Sequence, residues 1–340
     1  MTKYSFLDDY SEGCHPNILH ALADTNLIQQ TAYGHDEYTA KAKQLIKREI
    51  ASEQSDVYLV VGGTLANIIV MSSCLRPHEA VISADTGHIV VRETGAIEAT
   101  GHKIINVVNQ QGKITVGDLE QVLVDHSHVP HMVKPKLVYL SNATELGTLY
   151  SKQELTAISE FCRENGLYLF LDGARLATAL TAEKNNLTLK DIAKLTDLFS
   201  MGATKNGALI GEAIVINNNS LAEDFTFHVK QRGGMLSKGR LLGIQFVELF
   251  KDNLYFELAE HANKMAKKLS EGLLAHGLKL EADTETNQIF AVLPDELIAR
   301  LQEKFDFYVW CRKTADSSVV RLVTGWATPE EKVDEFLTLL

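Results

Sequence analysis

The sequence predicts an α/β protein in which a mostly parallel seven-stranded sheet carries helices on both faces, followed by a smaller C-terminal α+β domain. Two observations predict this. Between residues 56 and 216, short β-branched runs alternate with longer amphipathic stretches, the pattern of βα units feeding a parallel sheet. Beyond Gly233-Gly234 the alternation yields to long helical periodicity and then to three more short runs.

Taken in order, buried strands are expected at 56–61, 80–84, 103–108, 136–141, 167–172 and 197–201, and 212–216 reads as an extra strand leading out. Helices fit most of the gaps, among them one over 65–74 directly after Gly62-Gly63-Thr64. The tail reads as helices over 241–250 and 254–276, strands at 288–292, 307–310 and 319–323, and a closing helix from Pro329. There is no repeat, low-complexity tract or Pro/Ser-rich linker. The division is therefore placed inside or beside a long helix, with 1–250 as the large domain including an N-terminal arm and 251–340 as the small one.

Composition narrows the function. A chain of 340 residues, 45% hydrophobic and 23% charged, reads as a soluble globular protein too large for one small core. Its net charge of -11, with no basic run, argues against a nucleic-acid partner. Residues 1–9 carry acids where a secretion signal would be apolar, and no apolar stretch is long enough to span a bilayer. A cytoplasmic protein without a membrane partner is expected. Cys14, Cys74, Cys162 and Cys311 are far apart and lack CxxC spacing, so buried free thiols are expected rather than a disulfide framework or a metal site.

Two segments carry the chemistry. Leu167–Leu171 is an apolar run that ends on Asp172-Gly173-Ala174-Arg175, and a later run ends in Gly202-Ala203-Thr204-Lys205-Asn206-Gly207. A carboxylate closing a buried strand needs a cation, since desolvation penalises it. A salt bridge to Arg175 or a helix cap are its plainer uses. Lys205 follows a strand in a glycine-flanked turn, and ligands of open α/β sheets bind at that carboxyl edge. Together they are the two charges a pyridoxal phosphate site needs: an acid to hold the pyridine nitrogen protonated and an amine to condense with the aldehyde.

Other residues fit the same site. Gly62-Gly63-Thr64 places free backbone N–H groups at a helix start, a ready phosphate cradle, though an ordinary strand-to-helix turn looks the same. His88, after another strand, can lay a flat imidazole over a planar ring, with capping as its plain alternative. Arg175 and Arg321 offer guanidinium forks for a substrate carboxylate. Arg321 interrupts an apolar strand, so its alternative is an interdomain ion pair.

With these residues in place, the chain resembles the threonine aldolases of the β-eliminating lyase family, fold-type-I, aspartate aminotransferase-like pyridoxal phosphate enzymes, over nearly its whole length. The family's Asp-Gly-Ala-Arg stretch is present as Asp172–Arg175, its lysine turn as Thr204-Lys205-Asn206-Gly207, and its phosphate loop as Gly62-Gly63-Thr64 with Asn67. The histidine-then-acid pattern is His88 with Glu93-Thr94-Gly95; Tyr33–Tyr38 is similar to an N-terminal Tyr-Gly segment, and Arg321–Thr324 to the C-terminal arginine strand.

The resemblance implies aldol cleavage of an L-β-hydroxy-α-amino acid, L-threonine or L-allo-threonine, to glycine and an aldehyde. Lys205 would hold pyridoxal 5'-phosphate and Asp172 its ring nitrogen; Ser11, Arg175 and Arg321 would bind the substrate carboxylate. His88 would stack on the ring, and His131 falls where the family has a histidine near the β-hydroxyl. A homodimer or homotetramer with shared sites is also implied, with the segment Tyr33–Tyr38 crossing over. Three segments depart from the family. Its opening Arg-Ser-Asp becomes Asp9-Tyr10-Ser11-Glu12-Gly13, without the arginine. Its Gly-Gly-Gly-Met-Arg becomes Arg232-Gly233-Gly234-Met235-Leu236, leaving Lys238 or Arg232 to replace the lost cation, and its Glu-Asn-Thr loop becomes Ser141-Asn142-Ala143-Thr144. Another fold-type-I activity, a β-eliminating lyase or an aminotransferase, stays open, as does a cofactor-free protein on the same fold.

Overall fold

The apolar runs become strands within two residues of their expected ends, as seen in a computed structural model that describes residues 3–340. The strands are β1 (Tyr4–Ser5), β2 (Asp56–Val60), β3 (Glu79–Ala84), β4 (Lys103–Val107), β5 (Lys134–Ser141), β6 (Tyr168–Asp172) and β7 (Leu198–Gly202). They continue with β8 (Glu212–Ile216), β9 (Lys279–Leu280), β10 (Gln288–Pro294), β11 (Phe305–Asp306), β12 (Tyr308–Arg312) and β13 (Ser317–Val323). Elements without an expected counterpart include β1, β9, β11 and the helices Pro16–Thr25, Glu37–Ile50, Phe225–Gln231 and Asp295–Leu301.

Seven strands form the large sheet in the order β2-β8-β7-β6-β5-β3-β4. All neighbours are parallel except β8, which runs antiparallel to β2 and β7. Alternate residues of each strand feed opposite cores, as the two-residue period of a strand requires. On β5, Val138 and Leu140 face the core under the helices Glu37–Ile50 and Lys152–Glu164, while Leu137 and Tyr139 face the core under Gly63–Cys74. Capping boxes start three of the covering helices, at Thr115 with Asp118, Ser151 with Glu154 and Thr188 with Asp191.

The small body is an antiparallel sheet, β12-β13-β10-β9, covered by helices. The 22-residue helix Leu254–Ala275 serves both bodies: Tyr255, Leu258 and Ala259 pack under the large sheet, and Met265 to Leu273 pack on the small one. β1 pairs in parallel with β11, and Phe6 stacks on Phe305 (5.7 Å) and meets Phe336 edge-on (5.6 Å) in the small core. That anchor fixes the chain that follows it. The thiols of Cys14, Cys74 and Cys162 are buried as expected, but Cys311 is exposed, because it lies on β12 at the open edge of the small sheet. Among the described residues no helix is long and apolar enough to cross a membrane.

Candidate active site

β6 delivers Asp172 to the carboxyl edge of the large sheet, and Gly173 turns the chain there. A Cβ on Gly173 would strike the Ser200 carbonyl, and one on Gly202 would strike the Ala174 carbonyl, so only glycines let the ends of β6 and β7 cross this closely. Asp172 is 5% exposed and, among the described residues, has three donors and no cation on it. Tyr139 Oη (2.7 Å) and Asn67 Nδ2 (3.1 Å) donate to one oxygen, and the Ala174 N–H (2.9 Å) to the other. The Arg175 pairing weighed for it does not form. Charge-assisted bonds of this kind are worth about 1.5–3 kcal/mol each, so the carboxylate is held in one orientation.

Asp172, Lys205, His88, Gly62, Gly63, Thr64 and Arg175 line one cavity of about 320 Å³, together with Tyr10, Ser141, Glu145 and Glu212. Lys205 makes no hydrogen bond or ion pair with any described residue. Burial, and after it the Arg175 guanidinium, hold its amine below the ordinary lysine range. An amine that sheds its proton this readily is a nucleophile.

At the other end, the helix Gly63–Cys74 starts at Gly62 with no side chain capping its first N–H groups. A Cβ on Gly62 or Gly63 would meet nothing within 4 Å, so the backbone there faces open space. This is the geometry in which a helix start binds a phosphate. A buried acid, an unpaired amine and an uncapped helix start around one cavity are what pyridoxal phosphate requires, and these residues fit it.

His88 opens the short helix His88–Val91; its Nδ1 lies 2.7 Å from Glu93 Oε1, which also accepts from Asn67 Nδ2 (2.7 Å). The chain Asp172–Asn67–Glu93–His88 thus ties the acid of β6 to the imidazole. The Glu145 carboxylate accepts from the His88 N–H (2.8 Å) and from Ser141 Oγ (2.7 Å). Arg175, its side chain 12% exposed, is gripped by Asp9 at 2.7 and 3.0 Å. Arg321 of β13 donates twice to the neutral Gln288 carbonyl of β10 (3.2 and 3.0 Å). It faces the rings of Tyr308 and Trp310, close enough to Arg175 for the two cations to repel.

Three expected site residues do not line the cavity: Arg321, which lies on β13 near Arg175, and His131 and Ser11. His131 is exposed in the loop before β5, stacked on His128 at 4.9 Å. Because the cavity is at the other end of β5, eight residues put it roughly 25 Å away at about 3.3 Å per residue. Within this chain His131 does not join the site. Ser11 is exposed and outside the cavity, because Phe6, held in the small core and by the Val323 N–H (2.9 Å), sets a register that turns Asp9 and Tyr10 inward. Nor do Lys238 or Arg232 line the cavity, so neither replaces a phosphate-side cation within the chain. Sequence reading missed Tyr139, Glu145, Asp9 and Glu212. Glu212 carried the signal that marked Asp172, a carboxylate adjoining an apolar strand.

The profile of the β-eliminating lyase family matches residues 8–296. The low specificity L-threonine aldolase of Pseudomonas aeruginosa is 34% identical, over 96% of this chain and 94% of that protein. Escherichia coli's enzyme of the same name is 26% identical, over 91% of this chain and 90% of its own. Among solved structures, the threonine aldolase of Leishmania major is similar with a TM-score of 0.97 and 49% identity, covering 99% of this chain and 98% of that one. An aspartate aminotransferase of Thermus thermophilus, at a TM-score of 0.74 and 16% identity over 99% of this chain and 90% of its own, shares the fold. Motifs, cavity and relatives agree, and the chain belongs to the β-eliminating lyase family.

Proposed function

We propose that the protein is a lyase that cleaves an L-β-hydroxy-α-amino acid, L-threonine or L-allo-threonine, to glycine and an aldehyde with pyridoxal 5'-phosphate. The observation that carries this is the placement of Asp172, Lys205 and the Gly62-Gly63-Thr64 helix start around one cavity. The cofactor, when bound, supplies an electron sink for bonds at the substrate's α-carbon. Asp172, fixed by three donors, holds the ring nitrogen's proton; the N–H groups at the helix start hold the phosphate. Lys205 presents its amine to the aldehyde.

Arg175 and Arg321 orient the substrate carboxylate, which sets the Cα–Cβ bond against the ring. His88 would cover the ring, and with its Nδ1 bonded to Glu93 its Nε2 would take the β-hydroxyl proton. We place the protein in the cytoplasm as a homodimer or homotetramer in which residues 33–38 complete a neighbour's site. Exposed Leu27 (92%) and Phe227 (72%), and a phosphate end without a cation of its own, support that assembly.

The test is to incubate the cofactor-loaded protein with both threonine diastereomers and measure glycine. Glycine with an aldehyde, and loss of both and of the visible absorbance in Lys205→Ala, is the expected result. Ketoacid or ammonia as product would move the assignment to another fold-type-I activity, and a protein that stays colourless with added cofactor would remove both.

A further inference from the structure

Trp310 is a large side chain that none of the roles above uses, and it stands where the two bodies meet. It belongs to β12, at the step where the pairing with β13 slips by one residue between Val309 and Cys311. A bulge of this kind re-aims the side chain it carries. Phe290 of β10 and Tyr308 of β12 both pair directly with Arg321, so the three share one face of the small sheet. Trp310 joins them there, edge-on to Phe290 (5.4 Å) and 5.8 Å from the Arg321 guanidinium.

The same indole faces a second guanidinium, that of Arg92, at 5.2 Å. Arg92 belongs to the large body. It caps the short helix that His88 opens, its N–H bonding the His88 carbonyl (2.9 Å), and Glu93, the partner of the His88 ring, follows it. Its side chain makes no ion pair or hydrogen bond with any described residue. One ring thus holds a cation from the helix of the histidine and a cation from the strand of the carboxylate grip. Both lie within the roughly 6 Å over which a ring quadrupole attracts a cation. A carboxylate partner would cancel the charge of Arg321, whereas a ring attracts it and leaves it free to take an anion.

We propose that Trp310 is a positioning residue for the substrate carboxylate: its indole aims the Arg321 guanidinium and, through Arg92, keeps the small sheet in register with the segment His88–Glu93. The carboxylate is present in substrate and product alike. Losing its aim therefore weakens every bound state equally, which raises KM and leaves kcat in place.

The inference rests on the proposed cleavage reaction, and its test separates the two. Glycine formation from threonine is measured with the cofactor-loaded protein, and glycine binding is measured apart from turnover by calorimetry. Trp310→Ala is expected to raise KM and the glycine Kd by about tenfold, with kcat changed by less than about twofold. Trp310→Phe, which keeps a ring, should stay within about threefold of the wild type. In an Arg321→Ala background, Trp310→Ala should change the Kd by less than about twofold, because the group it aims is gone. Unchanged constants in Trp310→Ala, a loss confined to kcat, or a second tenfold loss in the Arg321→Ala background overturns the inference and leaves the proposed reaction standing. Wild-type protein that forms no glycine overturns the reaction and the inference with it. Should Trp310→Ala not fold, Arg92→Met decides instead: a rise of about threefold in the glycine Kd supports the role, and an unchanged Kd contradicts it.

Discussion

Arg175, which lines the cavity, and Arg321, which lies near it on the small sheet without lining the cavity, come from different sheets and are compensated in opposite ways. Arg175, after β6, has its fork filled by Asp9. Burial pulls its pKa down, but the Asp9 carboxylate more than reverses this. Arg321, on the small sheet, hydrogen-bonds only the amide of Gln288 among the described residues and faces the rings of Tyr308 and Trp310, and burial followed by the nearby Arg175 lowers it to about 10. A cation already neutralised gains little from another anion; one left uncompensated in a buried place gains much. On the proposed reading Arg321 is therefore the stronger of the two grips on the substrate carboxylate, with Arg175, held by Asp9, orienting it alongside.

The largest test of this contrast is Arg175→Ala, which leaves Asp9 buried and unpaired. It should destabilise the fold by about 3–5 kcal/mol, read as a fall in thermal midpoint, with activity lost alongside. Arg321→Ala should leave the midpoint unchanged or slightly raised and cut kcat/KM by roughly a hundredfold or more, since truncating one partner of a buried charge pair costs about 2–5 kcal/mol. If Arg321→Ala unfolds the protein and Arg175→Ala does not, the contrast is reversed.

Asp9→Asn keeps the shape and removes the charge. Burial opposes ionisation of Asp9, but Arg175 wins and holds its carboxyl below the ordinary 3.8. Its contribution to stability is therefore complete above about pH 3.8 and is lost as the pH falls through the lower folded-state value. The variant should lose about 2 kcal/mol at neutral pH, and the gap should close in acid; a gap independent of pH would show that the charge does not matter. Gln288→Glu should have the smallest effect. It gives Arg321 an anion of its own, and KM should rise about tenfold, near 1.4 kcal/mol, with kcat changed less.

The fold was legible because each core strand is an apolar run and its helices are amphipathic, local signals that need no partner. The same holds for Asp172 and Lys205, each a charge at the end of such a run. What escaped depends on distance in the chain. Asp9 finds Arg175 166 residues away and Asn287 278 residues away, and nothing near Asp9 announces either. Ser11 is exposed and Asp9 is buried because the register of the arm is set by Phe6 in the small core, not by its own sequence. His131 does not reach the cavity of its own chain because residues just upstream of β5 lie at the far edge of the sheet from its end.

The central claim is that Lys205 is the amine that joins the cofactor. Borohydride reduction of the protein loaded with pyridoxal phosphate, followed by digestion and mass spectrometry, tests it directly. A single pyridoxyl adduct on Lys205 is predicted. An adduct on another lysine, or none in a protein that has taken up the cofactor, would contradict it.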